Sequence, residues 1–447
     1  MKNNKQRMLL ILGKLWPFNT FYDQCGATGE QRRTMNIFAF APLLFTVFAV
    51  ASGGAIFNKF AAKLGMDTFE FGILNSVNSV IAVFGLVAAW VLGRTRKRRA
   101  MMIYPLIASR LIWLVIALIP FIIPQGAQLM RIWIFIILLS SISLLNTFSN
   151  IASQSWFADA IPLTIRGRYL ATRGSFMNIA TLVISLVMSF AIQMMKDTIL
   201  AYSIAIAIGV VFGLADILLY FFCKDTPMKP VAEQNLFKGI VTCLKDKGFL
   251  VFVMFWGLWA FGCALGASFY GFYLSKSYEI PVSLLTIGTQ VIPSLVVAAT
   301  FPYWGKLLDK HGRKWVLIRS IVASVLTVLL WIPFGQNAIW LMFVFFGLEA
   351  IMGGGVGLVS QHMIYSAIPE QNRALYIAVF SVINTAVFSA LGNLIGGALI
   401  NVMSGIQFTF LGFQMDGYKI MFLVSALFRL TSSLVLMRGI GRLKDHD

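Results

Sequence analysis

Residues 153–171 read SQSWFADAIPLTIRGRYLA, and residues 360–378 read SQHMIYSAIPEQNRALYIA. Eight of the nineteen aligned positions are identical at a constant offset of 207 residues, whereas chance at this skewed composition would give about one or two. Each copy ends one apolar segment, crosses a short polar stretch and begins another. The repeat therefore predicts that the chain consists of two related halves.

The composition places both halves in a membrane. Apolar residues make up 59% of the chain, charged residues make up 12%, and the mean hydropathy is +0.82, which a water-soluble surface does not show. A bilayer core about 30 Å thick needs roughly 20 apolar residues per helix. Strands of an outer-membrane barrel would alternate every second residue, and these segments do not. The twelve predicted spans are 35–58, 71–92, 100–123, 129–156, 170–194, 199–223, 249–275, 283–304, 315–334, 338–365, 374–402 and 418–439.

The net charge of +19 is explained by topology. With the N-terminus inside, most of the 36 Lys and Arg residues lie in the N-terminal segment and in the loops on the same side. Cytoplasmic loops carry such an excess, so we predict a multi-pass protein of the cell membrane with both termini in the cytoplasm. No nucleic-acid partner is expected.

The spans divide into two groups of six. The predicted organisation is a cytoplasmic N-terminal segment 1–34, a first six-helix bundle 35–223, a cytoplasmic linker 224–248, a second six-helix bundle 249–440 and a tail 441–447. The four cysteines lie on the predicted cytoplasmic side or inside a span. Disulfides are disfavoured at both places, and no metal site or cofactor is expected.

The stretch between spans 8 and 9 carries a family resemblance. Residues 305–314 read GKLLDKHGRK and resemble the G-x-x-x-D-x-x-G-R-[KR] loop motif of the major facilitator superfamily. The resemblance implies an all-α membrane protein with twelve helices in two pseudo-symmetric six-helix bundles around a central cavity. The repeat, the topology and the linker agree with it over almost the whole chain. The first-half counterpart, residues 93–99, has the basic residues but not the aspartate.

This motif and the repeated loops supply candidate gating residues. A carboxylate beside a helix start can accept backbone N–H groups, and the resemblance implies that Asp309 meets the start of span 11 near Arg373 while the cytoplasmic ends are together. Arginines in the repeated loops can meet acidic partners, although a basic border that only sets topology is the alternative. The candidates are Gly305, Asp309, Gly312, Arg313, Lys314, Asp159, Arg166 and Arg373.

Few charged residues lie inside the predicted spans. Those at least four residues away from either end of a span are Arg110, Asp216, Arg319, Glu349 and Arg429. Burying such a group costs roughly 2.5–3.5 kcal/mol on insertion scales. Glu349 lies near the midplane of span 10, which lines the cavity in the family. It can couple transport to protons, act as a counter-charge for a cationic substrate, or be a structural acid that is protonated or paired with arginine. The family places spans 3, 6, 9 and 12 at the periphery, so the other four are predicted to be structural or border residues.

Two helix faces are predicted to line a substrate cavity. Side chains spaced by three or four residues share a face in span 4 and again in span 7, and core packing is the alternative for the aromatic ones. The candidates are Asn146, Asn150, Ser153, Gln154, Trp256, Trp259, Tyr270, Ser360 and Gln361. In span 10, a glycine-rich stretch is predicted to be a hinge or a packing surface; it comprises Gly353, Gly354, Gly355 and Gly357.

These features predict a secondary transporter that moves a small organic solute by alternating access, with proton coupling. A passive facilitator of the same fold and a transporter-like sensor or scaffold are the alternatives. The span-5 motif of drug/proton antiporters and the loop signatures of sugar porters are absent, so no sub-family is assigned. An enzyme is not expected, because the clustered catalytic groups that it would need are lacking. The expected partners are the solute, protons and the lipid bilayer, and we expect a monomer.

Overall fold

The computed structural model describes residues 29–223, 243–278, 280–367 and 373–439. In these ranges, 10 helices are long and apolar enough to cross a membrane. One of them, Val282–Trp331, is 50 residues long and holds spans 8 and 9. The helix Gly417–Gly439 completes the twelve predicted spans.

Spans 1 to 6 form the first bundle. Their helices are Gly29–Ala51 with Gly54–Lys63, Thr68–Ile81 with Phe84–Thr95, Arg98–Ile122, Gln128–Ala160, Leu163–Met194 and Ile199–Tyr220. Span 1 thus begins inside the predicted cytoplasmic segment and is interrupted after Ala51. Span 2 starts with a capping box, in which Asp67 accepts from the Glu70 backbone N–H and Glu70 accepts from the Asp67 backbone N–H, both at 2.7 Å. These bonds satisfy two N–H groups that a helix start leaves open.

Spans 7 to 12 form the second bundle, which contains two π-helical segments. The helices are Lys247–Ser277, Val282–Thr286, Ile287–Val291 (π), Ile292–Val328, Leu341–Ala367, Arg373–Val382, Ile383–Ser389 (π), Ala390–Val402 and Gly417–Gly439. Between spans 11 and 12 the chain forms an antiparallel hairpin of strands β1, Gln407–Phe410, and β2, Phe413–Asp416. The sequence did not predict this hairpin, because strands of four residues give a weak periodic signal.

The predicted loop between spans 8 and 9 is wrong over most of its length. The helix Ile292–Val328 runs through the motif and leaves helical geometry only at Gly312, where φ is 78°. Leu and Lys, which favour helices, precede that glycine, while a positive φ is readily adopted only by glycine. Gly312 therefore has a conformational role, whereas Gly305 lies within the helix.

The two bundles meet at the end that carries the loops between spans 1 and 2, 5 and 6, and 7 and 8, which we call the sealed end. A Cβ added to Gly72 of span 2 would lie 3.0 Å from the Cα of Gly397 of span 11. Nearby, Ser76 Oγ donates to the Ala390 carbonyl at 2.6 Å. Glycine thus allows these two helices to cross in direct contact. The opposite end carries the basic loops and is the predicted cytoplasmic side.

Candidate functional site

Glu349 and Arg429 form an ion pair inside the second bundle. Arg429 Nη1 donates to Glu349 Oε1 at 2.8 Å, and the side chain of Arg429 is fully buried while that of Glu349 remains 26% exposed. A buried guanidinium is tolerated when it is both paired and hydrogen-bonded. The pair ties span 10 to span 12.

Two further helices complete this network. Ser324 Oγ of span 9 donates to Glu349 Oε2 at 3.0 Å. Thr327 Oγ1 of the same span lies 2.9 Å from Glu349 Oε2 and 2.7 Å from the Ser324 carbonyl, and it shares its hydrogen between them. Arg429 also donates to the hydroxyl of Tyr270 in span 7, at 3.4 Å. Both oxygens of the carboxylate are therefore hydrogen-bonded. Among the arrangements considered for Glu349, the structure contains the arginine-paired one.

The predicted cavity face of span 7 packs against protein instead. Tyr270 lies among aromatic rings, including that of Trp331 at 5.2 Å between centroids, and Trp256 packs against Phe255 at 5.1 Å. A Cβ on Gly266 would lie 2.7 Å from Ser425 of span 12, so the small residues on this face bring the two helices together. Trp256 and Tyr270 are core residues here. Trp259 is near the ion pair, its ring centroid 5.8 Å from Arg429 Cζ.

A cavity of about 680 Å³ lies in the first bundle. Asn146, Asn150 and Ser153, the predicted polar face of span 4, line it, and Gln154 donates to Asn150 Oδ1 at 3.1 Å. The other lining residues include charged and aromatic side chains, namely Arg110, Arg173, Asp216, Phe45, Phe48 and Trp113. The volume and the mixed lining are typical of small-molecule sites, which span about 300–1,000 Å³.

Arg110 and Asp216 are buried in the wall of this cavity, at 2% and 5% exposure. No ion pair within 4.0 Å joins them. The Arg110 guanidinium carbon lies 3.7 Å from the ring centroid of Phe48. Within the described residues, Arg110 Nε and Asp216 Oδ1 have no hydrogen-bond partner, and the same holds for Ser149 Oγ and Asn146 Oδ1.

Unpaired buried atoms are costly, at about 1–3 kcal/mol each. Four of them in one cavity mark a place that can take up a hydrogen-bonding solute. Both donors and acceptors are present, since Arg110 donates and Asp216 and Asn146 accept. The cavity therefore suits an organic solute with several polar groups and an apolar body.

Arg110 and Asp216 were not among the predicted site residues. The family resemblance placed spans 3 and 6 at the periphery, and both residues were predicted to be structural or border residues. A signal was nevertheless present, because, apart from Arg131 and Arg173 near the span ends, these two residues are the charged positions inside the predicted spans of the first half. Gly213 of span 6 makes room for the Arg110 side chain, since a Cβ there would lie 2.9 Å from Arg110 Nε.

The predicted gating residues have varied surroundings. Asp159 is bonded to the buried Arg98 at 2.6 Å, which joins span 4 to the start of span 3; Arg98 was not a predicted site residue. Asp309 is exposed. The side chains of Arg166, Arg373 and Gln361 lie outside the described residues, so a contact between Asp309 and Arg373 stays a prediction, as does the gating role of Arg313 and Lys314.

The glycine-rich stretch of span 10 lies within the unbroken helix Leu341–Ala367. A Cβ on Gly355 would lie 3.1 Å from the ring of Trp304 and would overlap Ser320 Oγ, so this glycine permits close packing. Gly353 and Gly357 have open space around them. Their role as a hinge, together with Gly354, stays a prediction. Ser360 Oγ donates to the Gly357 carbonyl at 2.8 Å.

Comparison with known proteins assigns the fold. Residues 273–438 match the family model of the Major Facilitator Superfamily. The nucleoside transporter NupG has a similar structure, with 14% sequence identity and a TM-score of 0.65, covering 92% of this chain and 99% of NupG. The D-xylose-proton symporter has 15% identity and a TM-score of 0.64, covering 90% and 97%. The predicted all-α membrane fold of this superfamily is confirmed.

Curated relatives match over short stretches. A multi-drug resistance efflux pump PmrA homolog of Lactococcus lactis is 36% identical over 81 residues, covering 18% of this chain and 19% of the relative. The multidrug resistance protein MdtG of Proteus mirabilis is 40% identical over 65 residues, covering 14% and 16%. The chain thus matches less than a fifth of either relative, and no sub-family follows.

Proposed function

We propose that the chain is a secondary transporter of the Major Facilitator Superfamily, whose family model matches residues 273–438, and that it moves a small organic solute across the cell membrane by proton-coupled alternating access. The Glu349–Arg429 ion pair carries this proposal. It is a titratable carboxylate, 26% exposed, that holds a fully buried arginine. We further propose that both termini lie in the cytoplasm.

Protonation of Glu349 would remove the counter-charge from Arg429. Breaking a buried pair costs about 3–5 kcal/mol, and about 5.5 kcal/mol moves a two-state equilibrium from 1:99 to 99:1. One proton can therefore shift the balance between two conformations by a large factor. The pair and its hydroxyl donors come from spans 9, 10 and 12, so its release would loosen these helices from one another.

The solute would bind in the first-bundle cavity. Asn146, Asn150 and Ser153 supply hydrogen-bonding groups on one wall, and Arg110 and Asp216 supply buried charges on another. The rings of the lining aromatic residues offer an apolar surface. Solute binding and proton coupling would then lie in different bundles. The contacts between the bundles at the sealed end would couple the two events.

We propose that this conformation is inward-facing, and the contacts at the sealed end support the proposal. The bundles are joined at the sealed end by Ser76 and Ala390, and Phe71 stacks on Phe272 with 4.3 Å between ring centroids. The cavity reaches Met102 and Tyr220, which lie near the basic ends of spans 3 and 6. With the basic end in the cytoplasm, alternating access would require the sealed-end contacts to open as the basic ends come together.

Transport measured in proteoliposomes tests the coupling. A thermal-stabilisation screen against metabolite classes first identifies a solute for the assay. Glu349→Gln is then expected to abolish accumulation driven by a pH gradient while solute exchange without a gradient continues. Arg319→Gln is the matched control, because Arg319 is an exposed arginine stacked on Trp315 at 3.7 Å, and it is expected to retain both activities. Unchanged accumulation in Glu349→Gln would remove Glu349 from the coupling, and uptake by the unmodified protein that ignores the pH gradient would identify a passive facilitator.

A further inference from the structure

The hairpin between spans 11 and 12 has an apolar face and a polar face. Phe408 pairs with Met415 and Phe410 with Phe413. Directly paired residues of an antiparallel ladder point to the same side, and so do residues two apart along a strand. These four side chains therefore form one face, which we call the apolar face. The other face carries Gln407, Thr409, Gln414 and Asp416.

The apolar face is largely uncovered by protein. Phe408, Phe410 and Phe413 are 46%, 47% and 42% exposed, and only Met415 is buried. Leu411, at the tip, is 80% exposed. The sequence from residue 402 to residue 415 contains no charged side chain. An exposed apolar patch of this kind marks a surface that binds something.

The turn itself favours this interpretation. Leu411 and Gly412 have φ values of 50° and 82°, and two positive values are typical of a type I′ turn, whose first position favours Asn, Asp or Gly. Leucine in the left-handed region is uncommon. The chain thus holds an exposed leucine at a backbone position that disfavours it, and a local outlier of this kind points to a role for the side chain.

The position of the hairpin identifies what covers it. The hairpin follows the helix of span 11, which ends at Val402, and leads into span 12 at Gly417. Its base is fixed to the protein, because Tyr273 of span 7 donates to Asp416 Oδ2 at 2.7 Å and Lys419 Nζ donates to the Phe334 carbonyl at 2.6 Å. The apolar face is thus held at the ends of spans 11 and 12, beside the exposed apolar side chains of Val402 and Ile406, which are 81% and 44% exposed. A lipid bilayer around the spans would meet it there.

We propose that the apolar face and Leu411 lie in the interfacial layer of the surrounding bilayer at the sealed end. An open two-stranded hairpin has unpaired N–H and C=O groups along its edges, which excludes it from the hydrocarbon core. The hairpin therefore lies flat in the interface and inserts only its side chains. Because the face is uncharged, its insertion needs no anionic lipid, unlike that of a basic surface segment.

Site-specific labels in the full chain test this placement. Native cysteines are replaced, single cysteines are introduced by Phe410→Cys or Thr409→Cys, and a polarity-sensitive fluorophore is attached before reconstitution into phosphatidylcholine vesicles. The label at 410 is expected to shift to the blue and to be quenched more by a spin-labelled lipid with its nitroxide near the headgroup than by one with its nitroxide near the chain end. The label at 409, on the opposite face, serves as the matched control and is expected to show at most half that quenching.

A second variant separates lipid contact from folding of the turn. Leu411→Asn suits the positive φ and is expected to leave the melting temperature in detergent unchanged or higher, while reducing quenching of the label at 410 at least twofold. Equal quenching at 409 and 410, or none at 410, would overturn the proposal. Energy transfer between labels on different copies, without quenching by lipid, would identify a second copy of the chain as the occupant and would equally overturn it.

Discussion

The two bundles bury charge in opposite ways. In the second bundle, Glu349 and Arg429 meet at 2.8 Å, and hydroxyl groups bond the remaining carboxylate oxygen. In the first bundle, Arg110 and Asp216 line one cavity without an ion pair within 4.0 Å, and each has an atom without a partner among the described residues. Both arrangements bear the cost of bringing charge into a membrane. Only the second bundle places the opposite charges in direct contact. We call the Glu349–Arg429 pair the latch, and the first bundle holds the proposed binding site.

The repeat allows this difference between the bundles to be compared position by position. At the offset of 207 residues, Glu349 aligns with Ile142, and Ile142 lines the first-bundle cavity. The position that carries a paired carboxylate in one half is thus an apolar part of a cavity wall in the other. The related halves keep the helices while their interiors differ in chemistry.

The largest expected effect comes from breaking the latch. Arg429→Met leaves the Glu349 carboxylate without its counter-charge, and we expect the free energy of unfolding to fall by about 3–5 kcal/mol. Denaturant titration in detergent, followed by tryptophan fluorescence, measures the change. The double variant Glu349→Leu with Arg429→Met should recover most of the loss, because well-packed apolar side chains can replace a buried pair. A double variant as unstable as the single one would show that the pair is not a latch.

The next effect lies in the first bundle, at Gly213. In Gly213→Ala the added methyl group would lie 2.9 Å from Arg110 Nε and 3.1 Å from Phe48 Cβ. Overpacking of this kind costs about 1–3 kcal/mol, and the displaced Arg110 should also weaken solute binding. Gly93→Ala is the matched control, since nothing lies within 4 Å of its added Cβ, and it should be neutral or stabilising. Equal losses in the two variants would exclude the contact with Arg110 as the cause.

Asp216→Asn should separate binding from stability. It breaks no ion pair, so we expect a stability change below that of Gly213→Ala, together with a loss of solute affinity of about tenfold or more, because a polar group lost from a bonded site costs about 1–3 kcal/mol. Calorimetry with the solute found by the stabilisation screen measures the affinity. Ser141→Ala is the control and should leave the affinity unchanged, because its hydroxyl donates to the Ile137 carbonyl one turn earlier at 2.9 Å and Ser141 does not line the cavity. An unfolding loss as large as that of Arg429→Met would mean that Asp216 acts as a second latch.

The sequence predicted helices and individual charged residues better than it predicted which residues contact each other. Glu349 could be selected because one carboxyl group in an apolar span has few explanations. Its partner Arg429 lies eighty residues away, and no local pattern connects the two. The polar face of span 4 was predicted because three residues at helical spacing define it. The aromatic residues of span 7 have the same spacing, yet Tyr270 packs into the core, since periodicity identifies a face without identifying what covers it.

Thr327→Val is expected to have the smallest effect on stability, and it tests one hydrogen bond to the Glu349 carboxylate. Thr327 Oγ1 lies 2.9 Å from Glu349 Oε2, and losing this bond should cost about 1 kcal/mol. Thr286→Val is the matched control, because both threonines are buried and both hydroxyls have a backbone carbonyl partner about one turn earlier, Val282 at 2.8 Å for Thr286 and Ser324 at 2.7 Å for Thr327. The difference between the two unfolding free energies isolates the bond to the carboxylate. That difference should shrink in a Glu349→Leu, Arg429→Met background, where the hydroxyl has no carboxylate to bond. A difference that persists there would assign the effect to packing of Thr327 and would separate span 9 from the latch.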